Sequence, residues 1–220
     1  MRNAGLLGCV GVLILIVLIG GAWFVSTRNS LVGLDESVNQ QWAQVESQYQ
    51  RRADLIPNLV RTVQGAANFE KSTLEAVVNA RARVGQVQAP AAGGPPTASN
   101  LPNDPNAMAS YAAAQQQLSG ALSRLLVVAE AYPDLKSNQN FLELQSQLEG
   151  TENRISVERM RYNEQAQVFN TAVRRFPASM IAGMSGFKQK AYFHGAPGSE
   201  KAPEVDFNFN TSTSTTATAR

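Results

Sequence analysis

The sequence predicts an all-α protein, with an N-terminal transmembrane helix followed by an antiparallel bundle of three to four long helices. Three observations carry this. The run LLGCVGVLILIVLIGGAWFV, Leu6 to Val25, holds no charge, and about 20 helical residues span the roughly 30 Å of a bilayer's hydrocarbon. Beyond it, apolar residues recur at steps of three and four over long stretches, the seam of a helix that packs along its length. Prolines and one Pro/Gly-rich insert divide these stretches into helices.

The first element is an uncleaved anchor over residues 6–27, after a short flank at 1–5. Its apolar run exceeds the about 7–15 residues of a signal-peptide core, and no small-x-small cleavage site closes it. Cys9 lies ahead of most of that run, where a lipoprotein's modified cysteine would follow it, so it reads as a small membrane-buried residue. Arg2 precedes the anchor, while Arg28 is soon followed by Asp35 and Glu36. The positive-inside rule then favours an inside amino terminus and a body on the extracytoplasmic side of the cell (inner) membrane. One cysteine permits no internal disulfide, and a net charge of +2 without a basic face argues against nucleic-acid binding.

The body, residues 28–207, begins with a helical region from Ser30 to Gln86. Its seam reads Leu31, Leu34, Val38, Trp42, Val45, Tyr49, Ile56, Val60, Val63, Ala67, Leu74, Val77 and Val84. Pro57 interrupts it in the stretch QRRADLIPNLV. A proline inside a helix removes a donor and clashes with the carbonyl four residues back, costing about 3 kcal/mol. Either one rod of about 85 Å kinks here, or the chain breaks and a new helix starts near Asp54, giving segments of about 40 and 45 Å.

The insert 88–106, QAPAAGGPPTASNLPNDPN, has no apolar period and predicts a surface loop. Asp104-Pro105 then starts a helix, with seam Met108, Tyr111, Gln115, Leu118, Leu122, Leu125, Ala129 and Tyr132, ended by Pro133. After a short turn, Ser137 is the expected cap of a third helix. Its seam is Phe141, Leu144, Leu148, Thr151, Ile155, Glu158, Tyr162, Gln165, Phe169, Val173 and Phe176, ended by Pro177. So short a link sets these two helices antiparallel. A short helix or irregular cover for the bundle's end follows, and 208–220 is a Ser/Thr tail that predicts disorder.

Several blocks are specific: LVGLDESVNQQWAQVESQYQRRADLIPNLVRTVQG, ARARV, RYNEQAQVFNTAVRRFP, AGMSGFKQKAYF and APEVDF. Together, over about Ser30 to Phe207, they resemble the LemA family. The resemblance implies a membrane-anchored antiparallel bundle with no established enzymatic activity. The Pro/Gly insert and the Ser/Thr tail depart from the family pattern without touching these blocks.

Chemistry is sparse. The single histidine, His194, has no cysteine within reach of a catalytic pair, since Cys9 belongs to the anchor. No Glu-x-x-His motif marks a bundle metal site, Glu149 and Glu152 share a helix face without a companion ligand, and Gly93-Gly94 has no P-loop lysine. No enzyme, cofactor or metal is expected. The candidate structural or interaction residues are Arg51, Arg52, Asp54, Pro57 and Asn58. Asp54 is expected to cap or pair locally with Arg51, and Arg52 to reach an acid inside the bundle and set its register. The alternative offers these guanidinium groups to an anionic partner, about 40 Å from the membrane exit along a straight helix. Polar seam residues Gln115, Glu158 and Gln165 could specify register or a partner helix. The expected function is a scaffolding or interaction module of the bacterial cell envelope. Its expected partners are the lipid bilayer through residues 6–27 and a second copy or other membrane proteins. A ligand- or signal-sensing ectodomain is the runner-up.

Overall fold

The structure is a computed structural model that describes residues 2–65, 70–88 and 101–195. Most of the Pro/Gly insert and the Ser/Thr tail lie outside the described residues, as does the side chain of Cys9. The described chain forms α1 (Arg2–Gln64), α2 (Lys71–Gln88), a 3-10 turn (Leu101–Asn103), α3 (Pro105–Ala129), the single turn α4 (Pro133–Lys136), α5 (Gln139–Arg174) and α6 (Ala178–Ser185). No strand occurs among the described residues.

The apolar segment and the first bundle helix are one object. The 63 residues of α1 run without interruption through the apolar segment into the core, about 95 Å at the helical rise. From Val12 to Ile19 every side chain is exposed. Shielding starts at Phe24 and Thr27 and becomes full burial at Leu31, on one face at steps of three and four.

The helix does not break at Asp54, and it does not extend to Gln86. Pro57 lies inside α1, half-buried. Around and beyond it Ile56, Leu59, Val60 and Val63 are all buried. At about 1.5–3 kcal/mol for each buried side chain, their packing exceeds the roughly 3 kcal/mol cost of the proline. The chain turns instead after Gln64, where Gly65 makes its last helical bond to the Arg61 carbonyl at 3.3 Å. The seam there offers only Ala67 before Leu74, so little burial offsets the poor helix propensity of glycine. Pro57→Ala should therefore stabilise the protein by about 2 kcal/mol, as the Ala53 carbonyl regains its donor. Thermal unfolding of the full chain in detergent measures this. A loss of stability would show that the packing relies on a proline bend.

α1, α2, α3 and α5 run up, down, up and down. Arg81 and Val84 of α2 line one cleft with Tyr49 and Ala53 of α1, so α2 returns toward the level of Tyr49, packed on α3. α1 and α5 form the longest contact. Arg52 meets Glu152 and Trp42 meets Tyr162, so ten residues up α1 match ten down α5. The end of the insert is not a surface loop: Leu101 and Pro102 are buried in the 3-10 turn that leads into α3. The start of α3 follows from Asp104-Pro105: the Asp104 carboxylate accepts from the Asn106 and Ala107 amides at 2.9 and 3.2 Å. Its end does not follow from Pro133. The helix stops at Ala129, and Pro133 opens α4 with its missing N–H at no cost. Asn138, rather than Ser137, caps α5 by accepting from Asn140 and Phe141; Ser137 Oγ donates to the Asp134 carbonyl.

α5 buries Ala166 and Asn170, whereas Gln165 is half-buried and Phe176 exposed. The seam thus departs at one position, Ala166 in place of Gln165, and resumes at Phe169 and Val173, while Phe176 lies beyond the helix end at Arg174. After α6, Gly186 takes a left-handed φ of 77° at the helix end, the conformation glycine adopts most freely. The chain then returns along α5 as a strap without helical structure.

Candidate functional site

Arg52 comes from the buried face of α1 and is 1% exposed, the largest side chain so deeply enclosed among the described residues. Its guanidinium is met from two other helices. Nη1 donates to Glu152 Oε1 at 2.5 Å and to Ser119 Oγ at 2.8 Å, and Nη2 donates to Gln115 Oε1. Ser119 Oγ lies 3.2 Å from both Glu152 oxygens, so it can accept from the arginine and donate to the carboxylate. The guanidinium also lies 5.2 Å from the Tyr49 ring centre. Nε is buried without a partner. Arg52 therefore ties α1 to α3 and α5 at one level, and a slip of either helix would strand its charge.

The other candidates stay outside the core. Arg51, Asp54 and Asn58 are exposed, and Pro57 is half-buried. Asp54 accepts from Gln50 Nε2 at 2.8 Å, where a pairing with Arg51 was expected, and Asn58 accepts from Arg61 Nη2. The two glutamates on one face of α5 separate: Glu152 goes to Arg52, and Glu149 accepts from Gln145 at 3.1 Å. Glu158, half-buried, accepts from Gln41 at 2.6 Å and from Arg161 at 2.9 Å. No group of three metal-ligating side chains occurs among the described residues.

Next to this network opens a cavity of about 490 Å³, lined by Tyr49, Arg52, Met108, Gln115, Glu152 and Arg159 among others. His194 lies at its edge, and the His194 carbonyl accepts from Arg159 Nη2 at 3.2 Å. Burial raises the Tyr49 phenol above its ordinary value, against the opposing pull of Arg159 and Arg52. Burial likewise raises Tyr111 and Tyr162. All three hydroxyls stay protonated at neutral pH, and none is poised as a general base. A phenol with a raised folded pKa stabilises the fold fully below its unfolded value near 10, and this contribution is lost as pH rises above it. The bundle should therefore lose stability above about pH 10, with the tyrosinate absorbance of these three residues appearing together with unfolding. Ionisation of Tyr49, Tyr111 or Tyr162 in a bundle that stays folded would contradict this account.

A second constellation escaped the sequence reading. The strap Lys190–Phe193 is held by its backbone. Asn170 donates to the Lys190 carbonyl at 2.9 Å and accepts from the Lys190 amide at 2.7 Å. Asn163 does the same for Phe193, at 2.8 and 2.9 Å. Between them the Tyr162 hydroxyl donates to the Ala191 carbonyl at 2.9 Å, and the Ala191 amide donates to the Pro102 carbonyl at 2.8 Å. Lys190 is buried, with Nζ 2.6 Å from Asp35 and 2.9 Å from Asn103. Phe193 stacks on Trp42 at 5.8 Å and meets Tyr162 edge-on at 5.4 Å. The sequence does hold a signal for this clamp: Asn163 and Asn170 are seven apart, each directly after a buried aromatic of the seam.

The fold and these constellations define a class: an antiparallel helical bundle carried on a long apolar N-terminal helix, with buried polar residues that bond within the chain. Comparison with known proteins makes this specific. The LemA family profile matches residues 41–207, and the chain belongs to the LemA family. It is similar to the magnetosome protein MamQ of Magnetospirillum gryphiswaldense, 27% identical over 183 residues, covering 78% of this chain and 66% of that protein. It is also similar to MamQ 2 and MamQ 1 of Paramagnetospirillum magneticum, each 26% identical over 208 residues, covering 88% of this chain and 75% of theirs.

Proposed function

We propose that the chain is a non-catalytic, self-associating scaffold of the bacterial cell envelope, anchored by a single span with its bundle on the extracytoplasmic side. The observation that carries this reading is the continuity of α1. One helix passes from the apolar segment into the centre of the bundle, so the body is held to the apolar segment without a flexible linker. The polar residues of the family blocks support it further. Arg52, Tyr162, Asn163 and Asn170 make contacts within the chain, which gives them a part in holding the helices and the strap together.

Gentle detergent extraction followed by crosslinking and mass spectrometry tests the scaffold. The expected result is crosslinks between equivalent residues of two copies, and a purely monomeric, partnerless chain would overturn it. Protease protection in closed membrane vesicles reports the side that holds the bundle. The cavity beside Arg52 favours a second reading, a sensing ectodomain, because its mixed charge and apolar wall suit a small polar ligand. Changes in helix packing on ligand addition, with assembly unaltered, would favour this second reading.

A further inference from the structure

We infer that the membrane-facing end of the bundle inserts into the outer part of the bilayer, with Phe176, Met180 and Met184 entering the lipid and a collar of arginines and lysine on the headgroups. The position follows from helix register. Trp42 lies beside Tyr162 and Arg52 beside Glu152, so equal steps down α1 and along α5 stay level. Fourteen residues beyond this first pair, Phe176 is level with Arg28. Trp23, the kind of residue that settles at the membrane interface, is five residues further down α1, about 7–8 Å. The headgroup layer is about 5–8 Å thick on each side. The end of α5 and the start of α6 therefore sit at the lipid surface, before the strap climbs away from it to Asn170 and Asp35.

α6 packs against both α1 and α5 there. It buries Ile181 and Ala182 and turns its other face outward. Met180 and Met184, one helical turn apart on that outer face, are 62 and 79% exposed, and Phe176, just before the helix, is 77% exposed. An exposed row of large apolar groups is unfavourable in water. Next to a span that must itself stay in lipid, the bilayer is the apolar medium within reach. Charge agrees. Arg28, Arg174, Arg175 and Lys188 are exposed at this end; the acids of α1 nearest to them are Glu36, exposed, and Asp35, already paired with Lys190. A basic excess at this level is attracted to anionic lipid. The inference rests on the reading of α1 as a membrane span.

The test uses the full chain in vesicles, with a nitroxide on Met184→Cys or Met180→Cys in a Cys9→Ser background. Collisions with oxygen, which partitions into hydrocarbon, are compared with collisions with a water-soluble nickel chelate. Val17→Cys reports the span, and Val127→Cys, exposed far up α3, reports water. The expected result is oxygen-dominated relaxation at Met184 and Met180, as at Val17, deepening when phosphatidylglycerol is added to phosphatidylcholine. Relaxation like that of Val127 would overturn the inference, and so would shielding from both reagents, which would mean that protein covers the row. Insertion indifferent to phosphatidylglycerol would remove the basic collar from it. If Val17 itself is not in hydrocarbon, the span fails and the inference falls with it; Val17 in lipid with Met184 in water overturns the inference alone.

Discussion

Glu152→Ala should lower the unfolding free energy by about 3 kcal/mol, while Arg52→Met should cost only about 1 kcal/mol. The asymmetry comes from burial. Arg52 is 1% exposed and Glu152 40%. Removing the carboxylate leaves a full positive charge enclosed, with the neutral oxygens of Ser119 and Gln115 to meet it. Removing the guanidinium instead takes away the enclosed charge and its orphaned Nε, and Glu152 can turn to water. Methionine refills much of the stem's volume. For a chain of this size each kcal/mol moves the melting temperature by about 2–4 °C, so Glu152→Ala should melt about 6–12 °C lower. Adding Arg52→Met to Glu152→Ala should then restore stability, a non-additivity expected of residues in one network. Arg52→Met proving the more damaging of the two would mean that the arginine acts through its stem, and that the pair does not set the register.

The fold was legible because its dominant signals are periodic. The Leu6–Val25 run, the seams of α3 and α5 and the Asp104-Pro105 start each depend on one local feature, and each appears in the structure. What misled was punctuation. Pro57 carries a large local penalty, yet the burial of Ile56, Leu59, Val60 and Val63 overrides it. Gly65 carries a smaller penalty but decides the boundary, because no large apolar residue follows on the seam before Leu74. At Pro133 and Ser137 the boundaries moved by a few residues, as terminal turns are set by whichever nearby group satisfies the free amides. In the site, Arg52 was legible as a charge on an apolar seam. Its partner was not, since Glu152 is one of several acids on α5 and only tertiary register selects it. The strap's own residues carry no such signal, for a deeper reason. Lys190–Phe193 has no period of its own and takes its conformation from Asn163, Asn170 and Tyr162, all distant in sequence.

Asn170→Ala should cost about 3 kcal/mol and release the strap. The asparagine side chain satisfies both the amide and the carbonyl of Lys190 at a site where both residues are buried. Alanine leaves two enclosed backbone groups without partners, at about 1–3 kcal/mol each. Loss at this point propagates. Lys190 carries the ion pair to Asp35 and the bond to Asn103, and the next residue is tied to Pro102. The strap therefore links α1, α5 and the entrance to α3. Asn163→Ala removes an equivalent pair of bonds from Phe193. Asn163 is only half-buried, however, so water can replace part of what is lost and the cost should be nearer to about 1 kcal/mol. Hydrogen exchange at the Lys190, Ala191 and Phe193 amides checks the mechanism separately from global stability. In Asn170→Ala these amides should exchange well before those of α5. If they remain as protected as the helix, the strap is held by the packing of Phe193 against Trp42 and Tyr162, and the asparagine clamp is incidental.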